Sequence, residues 1–330
     1  MLLFAASIVI SLFVLEFGLR VALGAPPAWR YPQESYVTDA EVGYALRPLQ
    51  DGFTIAAPFH INSKGIRDTE YASFPARDVV RILALGDSQT FGVGVRSDET
   101  WPKQLERALE AAQPTHRFEV LNAGLPASAT LNQARLLPRL LEAYHPACVV
   151  LGFYVNDVVA LKAAAPFQIA EGSELTKRIV YIAKRSALVS SVLHVLLPIW
   201  NGPDAQAEAL HEQGVLEDDG SPSVEAGWAQ VDGSLASIAR AALTRGACLA
   251  VLAMPRVDQI DGRESTTRYQ ERLRMLTERL VVPMVDPLES LRQERAQPLL
   301  VAWDGHYSGT AQGIMARELT SHVLAALNRP

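Results

Sequence analysis

Five residues in this 330-residue chain have the types and settings that acyl transfer needs. Ser88 follows an apolar run in "RILALGDSQTFGVGV" (Arg81–Val95), and Gly124 closes "HRFEVLNAG". Asn156 closes "PACVVLGFYVND", and Asp304 and His306 stand in "WDGHYSG" just ahead of the last helical pattern. Cleaving an ester through a hydroxyl requires a base to take its proton and an acid to orient that base. It also requires preorganised donors for the oxyanion. Ser88, His306 and Asp304 suit the first three roles. The N–H groups of Ser88 and Gly124 and the side-chain amide of Asn156 suit the fourth. Asp286, in "VDP", is the reserve acid, and Asp87 and Asp157 read as carboxylates that orient loops through local hydrogen bonds. The other histidines (His60, His116, His145, His194, His211 and His322) lack an aspartate two or three residues ahead and read as structural or surface groups.

These residues have to be presented by a sheet. From Val79 onward near-continuous apolar strands alternate with amphipathic helices. The strands are "VVRILALGD", "HRFEVLNAG", "PACVVLGFYVND", "ACLAVLAMP" and "VPMVDP". That rhythm predicts a parallel sheet covered by helices on both faces, with ligands bound beyond the strands' carboxyl ends, where the candidate residues fall. Thr100 is the expected N-cap of the first helix, with Pro102 in its first turn. Pro138 is an expected kink in the second. The rhythm breaks at about residues 160–225, which read as an insertion or lid. Residues 25–78 read as a Pro-rich linker followed by a small β-rich lead-in. The chain thus divides into an apolar segment (1–24), the linker and lead-in (25–78) and a hydrolase-like domain (79–330). Gly92 and Gly94 lack the spacing of a dinucleotide fingerprint.

With these blocks in order ("GDSQT", "NAG", "YVND", "DGH"), the segment from Val79 to Leu327 resembles the SGNH, or GDSL-type, hydrolases. The resemblance implies a three-layer α/β/α sandwich around about five parallel strands, similar to a flavodoxin-like sheet. It implies esterase, lipase, thioesterase, deacetylase or acyltransferase chemistry with no metal or cofactor. Two departures stand out. Tyr154 occupies a position that is usually glycine in the third block, and the closing block is Asp-x-His rather than Asp-x-x-His. The expected function is a serine esterase acting on an O-acetyl or other short acyl ester of a glycan or lipid. The alternatives are an O-acyltransferase acting on envelope polysaccharide or lipid, and a binding protein that keeps the pocket without catalysis.

Composition narrows the classes. The chain is 49% hydrophobic and 20% charged with a net charge of −6, without the basic footprint of a nucleic-acid binder. Its two cysteines, Cys148 and Cys248, sit in strand-like runs and read as inert core thiols, a disulfide between neighbouring strands being possible but not readable. No His/Cys cluster at metal-ligand spacing occurs. The segment "MLLFAASIVISLFVLEFGLRVALG" has about the ~20 residues of a membrane span, interrupted by Glu16 and Arg20 at pairing distance on one helix face. A single-pass anchor, a cleaved signal peptide and a buried soluble helix are the three readings. Arginines after the run and none before it weakly disfavour an extracytoplasmic domain. The resemblance to anchored bacterial SGNH proteins, carried by "INSKGIRD" and "GDSQTFG", implies an inner-membrane protein facing the periplasm.

Overall fold

The computed structural model of the chain describes residues 2–158, 174–200 and 202–328. Helix α1 (Leu2–Leu23) leads into two antiparallel hairpins. These pair β1 (Tyr36–Asp39) with β2 (Gly43–Leu46), and β3 (Gln50–Thr54) with β4 (Ala57–Ile61). The apolar runs then form a five-stranded parallel sheet of β5 (Val79–Gly86), β6 (Arg117–Gly124), β7 (Cys148–Phe153), β8 (Cys248–Ala253) and β9 (Met284–Val285). Its order is β6-β5-β7-β8-β9, so the winding reverses between β5 and β7 and opens a crevice at the carboxyl ends of those two strands. The helices are α2 (Ser88–Phe91), α3 (Trp101–Ala112), α4 (Thr130–Tyr144), α5 (Glu174–Ala183), α6 (Ala187–Trp200) and α7 (Gly202–Glu217). They continue with α8 (Pro222–Thr244), α9 (Val257–Ile260), α10 (Arg268–Arg279), α11 (Leu288–Gln293) and α12 (Gly309–Leu327).

Strand alternation sorts the core into two layers. Leu83, Leu85, Leu121, Val149 and Leu151 pack on one face with Leu137 and Leu141 of α4 and Trp228 and Leu235 of α8. Ile82, Ala84, Val120 and Val150 pack on the other with Trp101 and Leu105 of α3 and Ile314 and Leu319 of α12. Each buried Val, Leu or Ile side chain among them contributes roughly 1.5–3 kcal/mol. The sandwich with about five strands is therefore the observed fold. The hairpins are part of it, since Tyr44, Leu46, Phe59 and Ile61 join the first layer. Thr100 and Pro102 begin α3 as expected, although the Thr100 hydroxyl donates to Ser97 O (2.8 Å) rather than capping. The expected insertion falls partly on residues 159–173 and 201, outside the described residues; the rest of it forms α5, α6, α7 and the start of α8.

The cysteines differ from expectation. Parallel register sets Cys148 of β7 directly beside Cys248 of β8 on one sheet face, and the two form a disulfide with Cα atoms 4.3 Å apart. Spacing in sequence concealed this, because 100 residues separate the partners. A bridge closing so long a loop restricts the unfolded chain strongly. Replacing both cysteines with alanine should lower unfolding free energy by about 2–5 kcal/mol. Urea titration followed by circular dichroism measures it, and an unchanged midpoint would mean the bridge adds nothing.

Candidate active site

Three glycines in register make room for the site. Gly86 at the end of β5 pairs with Gly124 of β6 on one side and Gly152 of β7 on the other. Helix α2 sits down on this row. A Cβ on Gly124 would lie 2.1 Å from Phe91 N; on Gly86, 2.2 Å from Thr90 Oγ1; on Gly152, 2.4 Å from the same atom. Gly86 also has φ +156°. The row lets the short helix press against the sheet edge, with Asp87, Gln89, Thr90 and Phe91 buried and Ser88 alone half-exposed.

The lead-in and the last helix fix α2. Asp87 caps its start, accepting from Gln89 N (2.9 Å). Arg67 of the "NSKGIRD" stretch is buried beneath its end and donates to the carbonyls of Phe91, Gly92 and Val95, each at 2.7 Å. A cation satisfying the last carbonyls of a helix is doubly favourable. Burial brings the Arg67 guanidinium down to about 10, against the charges of Glu34 and Asp68. On the other side Gln89 Oε1 accepts from Tyr307 N (3.1 Å), while Gln312 of α12 donates to Gln89 O (3.0 Å) and accepts from Trp101 N (2.7 Å). The residue after Ser88 thus holds the residue after His306.

Ser88 and His306 meet. His306 Nε2 is 2.9 Å from Ser88 Oγ, and the Asp304 carboxylate bonds His306 Nδ1. Asp304 Oδ1 also accepts from His306 N (2.9 Å), so acid and base form an Asx turn closed within two residues. This is how the shortened Asp-x-His block closes. The turn is held by Asp304 N donating to Val301 O (3.0 Å) and Val301 N donating to His306 O (2.9 Å), with Trp303 at φ +62°. Burial pulls the His306 imidazole down. The hydrogen bond and charge of Asp304, with the charges of Asp87 and Glu34, more than offset it and leave the group above its ordinary value. Asp286, the reserve acid, instead accepts from Leu288 N at the start of α11. Among the described residues, His60, His145, His211 and His322 bond Asp51, Ser73 O, Val158 O and Glu318 O respectively, and His116 lies against the Thr115 hydroxyl. The side chain of His194 lies outside the described residues.

The expected oxyanion donors need one correction. Gly124 N donates to Asn122 Oδ1 (3.1 Å), so this N–H is already engaged and Gly124 serves close packing. Immediately after it Leu125–Ser128 form a turn, closed by Ser128 N donating to Leu125 O (3.1 Å), with Pro126 second and Ala127 third at φ +59°. That is the type II arrangement, whose third position favours glycine. Ala127 is the one residue of Leu121–Thr130 that is not buried, as Asn156 is the one of Val155–Val158. Ser88, Ala127 and Asn156 are thus the partly exposed residues just beyond the carboxyl ends of β5, β6 and β7 respectively. No glycine marks Ala127; only Pro126 within a strand-ending turn could have signalled it.

Beneath them lie two buried carboxyls. Burial pushes Asp87 up, opposed by hydrogen bonds from Gln89, the Asn156 amide and Thr90. Asp157 is pushed well above its ordinary value by burial and then by the charge of Asp87, despite donors from Tyr154 N, Thr130 and Gln133. Glu34 of the linker, which the sequence did not single out, also faces this centre. Burial raises its carboxyl against the charges of Arg67 and His306, and its Oε2 is buried without a partner. Beside Asp304 a cavity of about 150 Å³ is lined by Trp29, Lys184, Ser190, Leu193 and Trp303. Among the described residues no group of His, Cys, Asp or Glu is arranged to hold a metal ion.

A family model described as the GDSL-like lipase/acylhydrolase family matches residues 84–313. No curated protein sequence matches the chain. Similar solved structures include TesA, at 18% identity over 75% of this chain and 98% of that one with a TM-score of 0.44. The psychrotrophic esterase EstA from Pseudoalteromonas sp. is 16% identical over 76% and 99%, with a TM-score of 0.45. The acetyl xylan esterase AlAXEase is 13% identical over 74% and 100%, with a TM-score of 0.44. These likenesses are distant, and nothing about the chemistry of this chain rests on them.

The two small residues of this edge should respond oppositely to substitution. Gly124→Ala should destabilise the protein by roughly 3 kcal/mol, because backbone atoms of α2 block the new methyl. Ala127→Gly should be neutral or stabilising by up to about 1 kcal/mol, since it relieves a left-handed conformation. Thermal unfolding of both variants checks this; equal losses would contradict the assignment of Gly124 to packing.

Proposed function

The chain belongs to the GDSL-like lipase/acylhydrolase family and is an ester hydrolase, and from that premise we propose that it cleaves a short acyl ester through a Ser88–His306–Asp304 triad. The observation that carries this is the 2.9 Å approach of His306 Nε2 to Ser88 Oγ, with Asp304 on the opposite ring nitrogen. Ser88 Oγ attacks the carbonyl carbon while its proton passes to Nε2. The N–H groups of Ser88 and Ala127 and the Asn156 amide hold the oxyanion. Collapse of the intermediate breaks the acyl C–O bond, and the leaving alkoxide takes the proton from Nε2. Water then attacks the acyl–Oγ ester, His306 again accepting a proton, and releases the acid. An acceptor hydroxyl in place of water would make the same intermediate a transferase intermediate.

Helix α1 contains a 21-residue apolar stretch, Leu3–Leu23, with none of it buried. With the Cys148–Cys248 disulfide, which persists in oxidising compartments, this supports a single-pass protein of the bacterial inner membrane with its domain in the periplasm.

Full-length protein assayed with p-nitrophenyl acetate tests the mechanism. Ser88→Ala should abolish turnover, and Asn156→Ala should lower kcat by roughly 10²–10³. Neutral His306 is the active base, so kcat/KM should rise with pH through an inflection above about 6.5. Asp304→Asn removes the interactions that offset burial; its inflection should move lower and kcat should fall by roughly 10⁴. Normal hydrolysis by Ser88→Ala would end the proposal.

A further inference from the structure

The helices after the sheet's third strand carry a second apolar surface. On α5, Leu175, Ile179 and Ile182 recur at i, i+4 and i+7 and are 67%, 57% and 62% exposed, with Val180 and Val192 (41% and 44%) nearby. An outward stripe at this spacing is the reverse of what a solvated helix shows. The same stretch, residues 175–193, holds Lys177, Arg178, Lys184 and Arg185 and no acidic residue.

This surface is continuous with α1. The two charged residues of α1 are both engaged there. Glu16 accepts from Ser186 Oγ (2.7 Å), Ala187 N (2.9 Å) and Leu188 N (2.8 Å), capping α6. Arg20 bonds Glu16 and Arg185 O, each at 2.6 Å. Glu16 lies seven residues before the end of α1, roughly 10 Å along the helix. Inside a bilayer every polar group needs an internal partner, and this junction supplies them. Just beyond it Arg185 donates to Trp29 O (2.8 Å), and Lys184 lies over the Trp29 ring at 4.4 Å. Trp29 and Tyr181 stack at 5.8 Å. Aromatic and basic side chains at the end of an apolar helix are the composition of a membrane boundary. Trp29 and Lys184 also line the cavity that reaches Asp304.

We propose that α5 and α6, clamped to α1 by Glu16, contact the same bilayer and hold the mouth of the Ser88–His306 site at the lipid surface, so that the ester cleaved is borne by an amphiphile seated in that bilayer. The statement about the ester rests on the esterase reading; the statement about the helices does not. The basic residues face anionic headgroups, and the apolar stripe is covered by acyl chains.

The native cysteines are paired, so a single introduced thiol can be labelled in the full chain. An environment-sensitive fluorophore is placed on Ile182→Cys or, as a control, on Met275→Cys, an exposed α10 position, and the protein is reconstituted in phosphatidylcholine–phosphatidylglycerol vesicles. The label at 182 should be quenched by nitroxide-bearing lipid and shielded from iodide, and the label at 275 should show the reverse. Iodide quenching at 182 equal to that at 275, with no effect of the nitroxide, would overturn the placement. The double variant Ile179→Glu/Ile182→Glu should hydrolyse p-nitrophenyl acetate as the parent does. It should lose about tenfold or more in acetate release from an acetylated diacylglycerol carried in the vesicles. Equal effects on both esters would overturn the statement about the substrate. Lipid quenching at 182 without hydrolysis of either ester by the parent would uphold the placement and refute the esterase reading.

Discussion

The candidate site depends on how closely a four-residue helix can approach a sheet. Gly124, Gly86 and Gly152 stand side by side on β6, β5 and β7, and any side chain there would occupy space taken by Thr90 or Phe91. Because the helix rests on backbone rather than on side chains, Ser88 projects into the crevice where the winding of the sheet reverses. The two neighbouring strand ends carry the partly exposed Ala127 and Asn156. The His306 loop reaches it from the far end of the sheet, held by Gln89 and Gln312.

Such an edge collects buried polar groups, and each is answered locally. Arg67 is taken from water and satisfies two carbonyls at the end of α2 and that of Val95 in the loop beyond it. The carboxyls of Asp87 and Asp157 cannot both ionise at low cost in so dry a place, and the hydrogen bonds around them divide the labour. Asp87 caps α2 through Gln89 N, while Asp157 accepts from Tyr154, Thr130 and Gln133. The lead-in is thereby part of the machinery: its arginine holds α2, Tyr44 donates to Pro126 O (2.9 Å) behind the Ala127 turn, and the linker's Glu34 faces His306.

Much of this was legible in the chain. Continuous apolar runs told of a parallel sheet because strands buried on both faces have no polar side to show. The residues ending those runs marked the crevice. What escaped was set by register and by long-range pairing. Gly124 looked like an oxyanion donor because it ends a strand, but only strand pairing reveals it as one of three glycines under α2. Ala127 has no marker of its own side chain, since its feature is a backbone angle set by a turn. Cys148 and Cys248 become partners only once β7 and β8 are neighbours. Arg67 and Glu34 lie in a stretch whose own pattern pointed to short strands, and their importance comes from what they are folded against. The shortened Asp304–His306 spacing, a departure in sequence, becomes an Asx turn in structure.

The most direct measurement is covalent. The full-length protein is treated with a fluorophosphonate, digested and mapped by mass spectrometry. A nucleophile activated by His306 should carry the adduct at Ser88, and His306→Ala should lose it while remaining folded. No adduct on the folded parent protein, or an adduct elsewhere that survives Ser88→Ala, would contradict the assignment of Ser88 as the reactive group.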